Sequence, residues 1–529
     1  AVRLNIRPTQ RLRVNSSINY VNSGSDNRPG NGYGSENTNY AIVAWGPRSL
    51  NIENMKNYWQ PGLEDLQHYS FNYTFFDNPY FTLLENRNSF NRDRLFGNVS
   101  AAYEFTDDLS LTVRTGMDYS SEMRKFRRAF SSNRFKNGAY AEQTVFFREN
   151  NTDLLLNYQK EFGKIGLDFS AGANRMDQRA ANVQTQTTSL AQAGVFNLSN
   201  AASPLEILSS EAQKRINSVY GIAKFSYNNF LFVDITGRND WSSALATPTS
   251  TANTSFFYPS VSGSLVLSNV VNLPPAVSFA KIRASAAQVG NDTDPYQTAG
   301  IFVAGVPYAG QPTLSEQSTI PSALLLPERS TSYEFGADVR FFRDRLRFDV
   351  TYFDELTENQ IISLPIAISS GYKEQVINGG AVRSSGVEIV VGITPLKSRD
   401  FQWDAQFNFS SSVSRVEALP EGSGRLTLAY SRVYDNVNQT VWFQVEEGGK
   451  IGDIYGTGYL KNENGDFVLT ATGNHIVDNT LKRLGNYNPD FILGFNNQLQ
   501  YKNWSLGFLF DWRQGGILVS RTLALAAVG

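Results

Sequence analysis

The side chains that most often carry out acid–base, nucleophilic or metal chemistry are scarce in this sequence. Its 529 residues include no cysteine and two histidines, His68 and His475. Without cysteine there are no disulfides, thiolate zinc sites, iron–sulfur clusters or cysteine nucleophiles. Two isolated histidines give almost no material for a multi-histidine metal site or a Ser-His-Asp constellation. We therefore expect neither an enzyme nor a bound cofactor.

One pair of carboxylates stands close together in the sequence, Glu463 and Asp466. Two carboxyl groups at a defined separation can hydrolyse glycosides, and a set of oxygen ligands can bind calcium. The pair lies in a run of Asn and Gly, 461–466, which is typical of a solvated turn. The run also lacks the Asp pattern and the closing bidentate Glu of a calcium loop. A solvated loop is the favoured interpretation, and no metal site is predicted.

A basic run follows the strand that is predicted to begin at Leu109. Its central members are Arg124, Lys125, Arg127 and Arg128. Such side chains bind phosphates and carboxylates, so the run is a candidate contact for lipopolysaccharide or an acidic ligand. The alternative, which the charge pattern favours, is a solvated or lumen-lining extension of the strand.

Several aromatic residues fall in polar stretches that are predicted to be loops: Trp45, Tyr58, Trp59, Trp442 and Tyr455. Rigid rings with a polar edge stack well on sugars and on peptide side chains, so these five are the candidate substrate-binding residues. The alternative is that they pack against neighbouring loops or against a partner protein.

The overall composition narrows the class of protein. Lys and Arg total 47 and Asp and Glu 49, a net charge of −2, which gives no support to a nucleic-acid-binding or polybasic protein. Aromatic residues make up 13%, too many for a disordered chain. No segment approaches the roughly 18 apolar residues of a transmembrane helix, and residues 1–7 alternate like a strand rather than a leader. The length suggests roughly three domains unless one large β structure accounts for it.

Alternation of apolar and polar residues dominates the sequence. It is clearest in the runs 109–114, 346–352, 387–393, 403–410 and 506–512. This period of two predicts strands with one apolar and one polar face. A soluble sandwich would show the same alternation, so the pattern alone does not identify the architecture.

Short and long connections alternate between the predicted strands. The short ones are rich in turn residues and lie at 106–108, 163–164, 228–229, 343–344, 397–400 and 502–503. The long ones are polar and include 22–91, 185–214, 239–255 and 290–327. Outer-membrane barrels have this asymmetry, with short periplasmic turns and long outer loops. Soluble sandwiches distribute their loop lengths more evenly.

Aromatic residues flank nearly every short connection, among them Tyr103, Phe105, Tyr227, Phe230 and Trp504. Amphipathic rings prefer the level of the lipid headgroups, so this recurrence indicates a periplasmic girdle. The predicted strands are also long enough for the 9–11 or so residues that cross a bilayer when tilted. We count about 14 to 16 of them, and a sheet in lipid must close because unpaired backbone is costly there.

Several ordered blocks resemble the SusC/RagA family of TonB-dependent outer-membrane transporters of Bacteroidetes. They are residues 231–243, 257–264, 326–336, 378–388, 484–491 and 510–516. The resemblance extends from about Asn78 to the end. It implies a 22-stranded transmembrane antiparallel β-barrel with long extracellular loops. We expect residues 1–529 to be part of that one barrel domain, without the plug domain and the N-terminal carboxypeptidase-regulatory-like domain.

The resemblance also implies a function. The chain would be the barrel wall of an importer that takes up a bulky nutrient, an oligosaccharide or a peptide, across the outer membrane. The implied partners are a SusD-like surface lipoprotein lid, the TonB-ExbB-ExbD system, outer-membrane lipid and lipopolysaccharide, and a second copy in a dimer of SusC–SusD pairs. The competing hypothesis is a secreted soluble all-β protein that binds or cleaves glycans. A passive porin-like channel is a third.

Overall fold

Strands account for most of the chain in this computed structural model, which describes residues 1–305, 307–420, 422–432 and 440–528. In chain order they are β1 (Val2–Thr9), β2 (Leu12–Ser25), β3 (Asn88–Glu104), β4 (Leu109–Ser132), β5 (Phe135–Phe162), β6 (Ile165–Thr187), β7 (Glu206–Tyr227), β8 (Leu231–Ser242), β9 (Ser255–Val266), β10 (Val277–Asn291), β11 (Phe302–Ala304), β12 (Leu314–Glu316), β13 (Thr319–Ile320), β14 (Glu328–Phe341), β15 (Leu346–Glu358), β16 (Ile361–Pro365), β17 (Glu374–Asn378), β18 (Ala381–Lys397), β19 (Phe401–Ala418), β20 (Arg425–Arg432), β21 (Thr440–Glu446), β22 (Asp453–Tyr459), β23 (Val477–Asn486), β24 (Phe491–Tyr501) and β25 (Trp504–Gln514).

The helices are few and short. They are α1 (Thr38–Trp45), α2 (Pro79–Leu84) and α3 (Arg521–Val528), with 3-10 turns at Ile52–Met55, Leu198–Asn200, Ser243–Leu245, Leu267–Asn269 and Ile368–Ser370. None of the helices in the ranges given above combines the length and the apolar character needed to cross a membrane.

Sixteen of the described strands form one antiparallel sheet in which neighbours follow one another along the chain. The order is β1-β2-β3-β4-β5-β6-β7-β8-β9-β10-β14-β15-β18-β19-β24-β25. The all-β prediction is confirmed, and the strand count lies at the top of the predicted range. Three smaller sheets, β11–β12, β13–β17–β16 and β20–β21–β22–β23, are built from segments that lie between strands of the main sheet.

The two ends of the main sheet differ, as predicted. One end carries the short connections 10–11, 105–108, 163–164, 228–230, 267–276, 342–345, 398–400 and 502–503. The opposite end carries the long connections 26–87, 188–205, 243–254, 292–327, 359–380 and 419–490. The aromatic rings beside the short connections are outward and largely exposed; they include Tyr103, Phe105, Phe162, Phe342, Tyr501 and Trp504, at 42–79%. This distribution is that of an interfacial girdle.

The hairpin of β4 and β5 departs from the expected strand lengths. The two strands have 24 and 28 residues, and only 133–134 join them at the long-connection end. Both strands continue well past the 9–11 or so residues that cross a bilayer, since pairing between them continues to Ser132 and Phe135. Beyond the apolar band both faces of these strands mix polar and apolar side chains, which hides the alternation. The basic run lies within β4, as the strand-extension alternative predicted.

The register of the main sheet separates the side chains by chemistry. Leu111, Leu156 and Ala171 are direct cross-strand neighbours on one face, and this face stays apolar across the sheet. Its large side chains are exposed rather than covered by a second sheet. Examples, at 41–58% exposure, are Leu156, Phe169, Ile235, Val261, Phe335 and Tyr352. An exposed apolar face of this extent fits contact with lipid acyl chains.

The opposite face of the main sheet is polar and internally hydrogen-bonded. The Arg283 guanidinium donates to Asp349 and to Thr351, both at 2.6 Å. The Tyr220 hydroxyl donates to Asp153 at 2.8 Å. Because these side chains alternate with the apolar ones along the strands, this is the face that would line the interior if the sheet closed into a barrel.

The buried apolar core lies in the long connections rather than in the sheet. Leu245, Leu325 and Val376 form one cluster, against which Phe256 and Ile361 pack. These residues come from three different connections and from the strand ends beneath them. These long connections are thus packed together at one end of the sheet.

Candidate functional site

Three of the predicted aromatic residues lie together inside the 26–87 connection. The rings of Tyr58 and Trp59 lie 6.1 and 5.4 Å from the ring of the fully buried Phe81. Trp45, at the end of α1, lies 5.8 Å from Phe76. These rings form the interior of the connection, which gives it a fixed shape. Their placement matches the loop-packing alternative, and each retains some exposed surface.

The Tyr58 hydroxyl is tied to the same connection. It donates to the Glu85 carboxylate at 2.8 Å. Burial, together with this hydrogen bond to an acid, raises the pKa of Tyr58 to about 12. Tyr58 is therefore a neutral hydrogen-bond donor at physiological pH and is not available as a base.

The other two aromatic candidates pair across β21 and β22. Trp442 lies directly opposite Tyr455. Tyr455 is 4% exposed, donates to Glu446 at 3.1 Å and carries the Arg425 guanidinium over its ring at 4.6 Å. Tyr455 therefore supports the small sheet, and Trp442 is the more accessible of the two. The structure groups the five aromatic candidates as a trio and a pair.

The basic run holds the 26–87 connection against β4. Arg128 makes a bidentate pair with Glu36, with both N–O distances at 2.7 Å. Arg127 donates to the backbone carbonyls of Leu84 and Glu85 at 3.1 Å. Burial lowers the pKa of Arg127. Both guanidinium groups therefore bind the 26–87 connection to β4.

The remaining basic candidates also have acidic neighbours. Arg124 donates to Glu122 at 2.6 Å, and Lys125 lies 3.6 Å from Glu142. A ligand phosphate at this run would have to compete with these carboxylates. The run's role as a lipopolysaccharide or acidic-ligand contact stays a prediction.

A buried polar cluster lies where the 26–87 connection meets the tip of β4, and the sequence did not predict it. The His68 Nδ1 lies 2.9 Å from the Ser131 Oγ at the tip of β4, and its Nε2 lies 3.6 Å from the Asp77 Oδ1. The His68 ring also stacks on Phe81 with a centroid distance of 4.2 Å. The trio has the composition of a catalytic triad, but Ser131 is 6% exposed and cannot meet a substrate. His68 and Asp77 belong to the same connection, but Ser131 is 63 residues from His68, and no signal in the sequence relates it to the other two.

Burial dominates the electrostatics of this cluster. It lowers the pKa of His68 to about 4, with a smaller contribution from the positive charge of Lys136. Burial also raises the pKa of Asp77, although Asn133 and Ser132 donate hydrogen bonds to it. The 3.6 Å separation between the His68 Nε2 and the Asp77 Oδ1 is too long for a hydrogen bond, and the lowered pKa of His68 leaves it without a charge to pair with Asp77. His68 is neutral at pH 7.

Side chains of the 231–243 block, which carries part of the family resemblance, join β8 to β9 and to the 292–327 connection. Arg238 donates to Asp240 at 2.8 Å, and the Tyr258 hydroxyl donates to the same carboxylate at 2.6 Å. Two residues on, the Ser242 hydroxyl donates to Asp292, which begins the 292–327 connection. Lys214 completes this contact with a 2.5 Å ion pair to Asp292. The block therefore positions the rim of the sheet.

The arrangement as a whole supplies groups that can recognise a ligand. Within the part of the chain that the structure describes, no three or more His, Cys, Asp or Glu side chains gather as metal ligands. The polar face offers amides, hydroxyls and paired charges, and the long connections offer partly exposed aromatic rings. Such groups bind and guide a ligand by hydrogen bonding and stacking.

The family model described as "TonB dependent receptor-like, beta-barrel" matches residues 8–511. The chain belongs to this family of TonB-dependent receptor β-barrels. Among curated relatives, TonB-dependent receptor P3 of Formosa agariphila is 25% identical over 477 residues, which is 84% of this chain and 47% of the relative. The TonB-dependent receptor SusC of Bacteroides thetaiotaomicron is 22% identical over 190 residues, 34% of this chain and 19% of the relative.

Solved structures share the fold. The RagAB peptide transporter matches with a TM-score of 0.76 at 19% identity, covering 96% of this chain and 57% of that one. The outer-membrane transporter YddB of Escherichia coli matches with a TM-score of 0.52 at 10% identity, covering 94% of this chain and 61% of that one. The chain spans about half the length of curated relatives such as TonB-dependent receptor P3. The resemblance to the SusC/RagA family inferred from the sequence is confirmed.

Proposed function

We propose that this chain is the barrel wall of a SusC/RagA-type TonB-dependent importer, which moves a bulky nutrient across the outer membrane without making or breaking covalent bonds. The observation that carries the proposal is the sheet with two chemical faces and two unequal ends. An exposed apolar face suits lipid, a polar face suits a passage, and packed long connections suit substrate capture. The family membership of residues 8–511 supports the same function.

The nutrient is an oligosaccharide or a peptide. The neighbouring RagAB structure is described as a peptide transporter, which is a statement about that protein. Trp45, Tyr58, Trp59 and Trp442 are the rings that we propose for contact with sugar faces or peptide side chains, with Tyr455 positioning Trp442. Rings that are already held rigid lose little entropy when a ligand stacks on them.

The partners follow from the same proposal. A SusD-like lipoprotein would close over the long connections as a lid, with two such pairs forming a dimer. TonB, with ExbB and ExbD, would supply the energy through the plug. The barrel domain proposed for residues 1–529 provides the wall that surrounds the plug and the platform that receives the lid.

A deletion of the gene in its native host tests the proposal. The deletion strain should lose growth on one polymer among a panel of oligosaccharides and peptides supplied as the sole carbon source. A tonB deletion should cause the same loss, because the uptake is energised. A tagged copy of the full-length protein should restore growth and should co-purify with a lipoprotein in mild detergent. Uptake that persists without TonB would instead indicate a passive channel.

Fractionation separates the importer from the secreted soluble alternative. The importer should be found in the outer membrane and should need detergent for extraction, because its apolar face is in contact with lipid. Recovery of the full-length protein from the culture medium as a monomer in detergent-free buffer would contradict the proposal and favour the soluble glycan-binding or glycan-cleaving protein.

A further inference from the structure

One stripe of the polar face carries hydrogen-bonding side chains with little charge. Every second residue of β19 from 402 to 414 lies on this face: Gln402, Asp404, Gln406, Asn408, Ser410, Ser412 and Ser414. On β24, Asn496, Gln498 and Gln500 lie directly opposite Gln406, Asp404 and Gln402. We call these side chains of β19 and β24 the amide–hydroxyl stripe. Asp404 is the one acid in it, and it contains no cation.

Cross-strand neighbours connect the stripe to the side chains that define the polar face. Across β10, β14, β15, β18 and β19, the direct neighbours are Arg283, Gly336, Thr351, Glu388 and Ser410. At the short-connection end, Gln402 and Gln500 lie beside 398–400 and 502–503, and at the other end Ser414 lies among the long connections. The stripe therefore spans the wall from one end to the other.

The amides of the stripe are available to a ligand. Asn496, Gln498 and Gln500 are exposed, and their side chains form no hydrogen bond with any described residue. Elsewhere the polar face carries charges that are already paired, as in the 2.6 Å contact of Arg94 with Asp118. A neutral ligand therefore meets unoccupied donors and acceptors along the stripe.

A polar cavity of about 650 Å³ lies at the long-connection end of the stripe. It forms where β19 changes its partner on one edge. Pairing with β24 ends at Ser410, and the Ile451 N–H then donates to the Ser414 carbonyl. Among the described residues, none pairs with Ser412 on that edge. The cavity is bordered by hydroxyls, amides and charges of both signs: Ser410, Ser412, Ser414, Asn486, Asn488, Asp490, Lys450 and Arg513.

We propose that the substrate is a neutral oligosaccharide, which binds first in this cavity and then passes along the amide–hydroxyl stripe. A sugar hydroxyl donates one hydrogen bond and accepts two, so it can bond with the cations, the carboxylate and the serines of the cavity alike. Along β19 the next polar side chain on the same face follows at roughly 7 Å. Several similar, weak positions in a row allow a ligand to advance, because no one of them holds it. This assignment rests on the proposed function and chooses between its two classes of nutrient.

The stripe favours a neutral sugar over a peptide. A peptide that binds to a sheet edge uses several consecutive backbone hydrogen bonds, and within the described residues this edge of β19 is open only around Ser412. Charged peptide side chains and termini also need opposite charges. The stripe supplies only Asp404, whose carboxylate already accepts hydrogen bonds from Gln402 at 2.6 Å and from Thr394 at 2.7 Å. An acidic oligosaccharide would meet no cation on the stripe.

The test measures uptake by cells of the native host that carry the full-length gene or a variant of it. The probes are labelled hexasaccharides, neutral (malto-, xylo- and mannohexaose) and acidic (hexamers of alginate and of polygalacturonate), and a labelled hexapeptide. We expect the wild type to take up a neutral hexasaccharide in a TonB-dependent manner. The double variant Asn496→Leu/Gln498→Leu should take it up about ten-fold more slowly, since two hydrogen-bonding positions are lost.

Two further variants separate the loss of hydrogen bonds from a change of shape. The variant Asn496→Gln/Gln498→Asn keeps both amides and should retain most of the wild-type rate. Ser412→Trp, which fills the cavity and leaves the amides of the stripe intact, should slow uptake as the double leucine variant does.

Asn15→Leu/Asn19→Leu is the matched control, since Asn15 and Asn19 occupy alternate positions on the polar face of β2, away from the stripe. It should take up the hexasaccharide at the wild-type rate. Heat-dependent migration on gels confirms that each variant is folded. Wild-type uptake by Asn496→Leu/Gln498→Leu, or an equal loss in the control, would overturn the proposal. So would TonB-dependent uptake of only the hexapeptide or only an acidic hexasaccharide, which would leave the transport function standing, whereas uptake that persists without TonB would count against that function itself.

Discussion

At the scale of single residues, polar side chains in this protein mainly join segments that are distant in sequence. His68 and Ser131 join the first long connection to the tip of β4, and Arg128 and Glu36 join the same two elements a short distance away. Buried contacts of this kind are strong when both partners are present and costly when one is removed. Substitution of a single residue in these contacts can therefore change the shape of the long connections without changing the main sheet.

The 26–87 connection should loosen in acid because of His68. A histidine whose pKa is lowered to about 4 favours the folded state fully above its unfolded pKa, about 6.5, and this contribution is lost as pH falls from about 6.5 to about 4. The loss amounts to at most about 3 kcal/mol of local stability. The raised pKa of Asp77 acts in the opposite direction and offsets part of it. Hydrogen exchange of the His68 and Asn133 amides should accelerate over this pH range.

The matched variant is His68→Phe, which keeps a ring for stacking on Phe81 and has no titrating group. Its exchange rates at those amides, corrected for intrinsic pH effects, should not accelerate between pH 6.5 and 4, and the raised pKa of Asp77 should slow them as pH falls. A wild-type connection whose exchange also fails to accelerate over the range would show that His68 does not loosen it.

Arg128→Ala should release the 26–87 connection at neutral pH. The Arg128 side chain is 11% exposed, and its removal leaves Glu36 without its bidentate partner, at a cost of about 2–3 kcal/mol. Lys125→Ala is the control, because the 3.6 Å Lys125–Glu142 pair is exposed and contributes about 0–1 kcal/mol. Limited proteolysis in detergent should cut the connection several-fold faster in Arg128→Ala only. Equal cleavage of both variants would argue against the role of Arg128 in holding the connection against β4.

At the scale of elements, the sequence predicts the strands and the short turns better than it predicts the structure of the long connections. Alternation marks a strand wherever one face is apolar, as in residues 346–352, and each short turn carries its own local signal. The outer parts of β4 and β5 lose that signal because both of their faces mix polar and apolar side chains. The contacts that shape the candidate site, such as Ser242 with Asp292, join distant residues, and a single sequence does not encode such pairings in a readable pattern.

The assignment of the two faces of β8 can be tested with neighbouring substitutions. Ile235 lies on the apolar face and is 54% exposed, and Thr236 is the next residue, on the polar face. Ile235→Arg should prevent assembly into the outer membrane, since arginine on the lipid side costs about 2–4 kcal/mol near the midplane. Thr236→Arg should be tolerated. The amount of heat-modifiable protein in membranes measures both, and tolerance of Ile235→Arg would favour a soluble protein, in which an exposed isoleucine is replaceable.

At the scale of the whole molecule, the main sheet has sixteen strands and two edges. Within the described residues, β1 pairs only with β2, and β25 only with β24. The resemblance found in the sequence implies a barrel with more strands, and unpaired backbone groups cost several kcal/mol each in lipid. Closure of the wall therefore requires further strand pairing at these two edges.

The polypeptide of residues 1–529 expressed by itself should accordingly fail to form a heat-resistant barrel in detergent or in vesicles. The full-length gene product is the positive control and should migrate faster before boiling than after it. Seminative gel electrophoresis of the two refolded side by side makes the comparison. A stable, closed, sixteen-stranded species formed by residues 1–529 would show that the edges β1 and β25 can pair with each other.

The length of the β4–β5 hairpin has a consequence for how the cell surface can vary. At about 3.3 Å per residue, the 24 residues of β4 measure roughly 80 Å, about twice the length of tilted strand that crosses the bilayer. Antibodies and phages that bind the outer part of this hairpin therefore contact a regular two-stranded ribbon rather than a flexible loop. Losing one residue from 118–132 would exchange inward and outward side chains for everything beyond it. Escape mutations in the ribbon should therefore be replacements, whereas insertions and deletions should collect in 188–205.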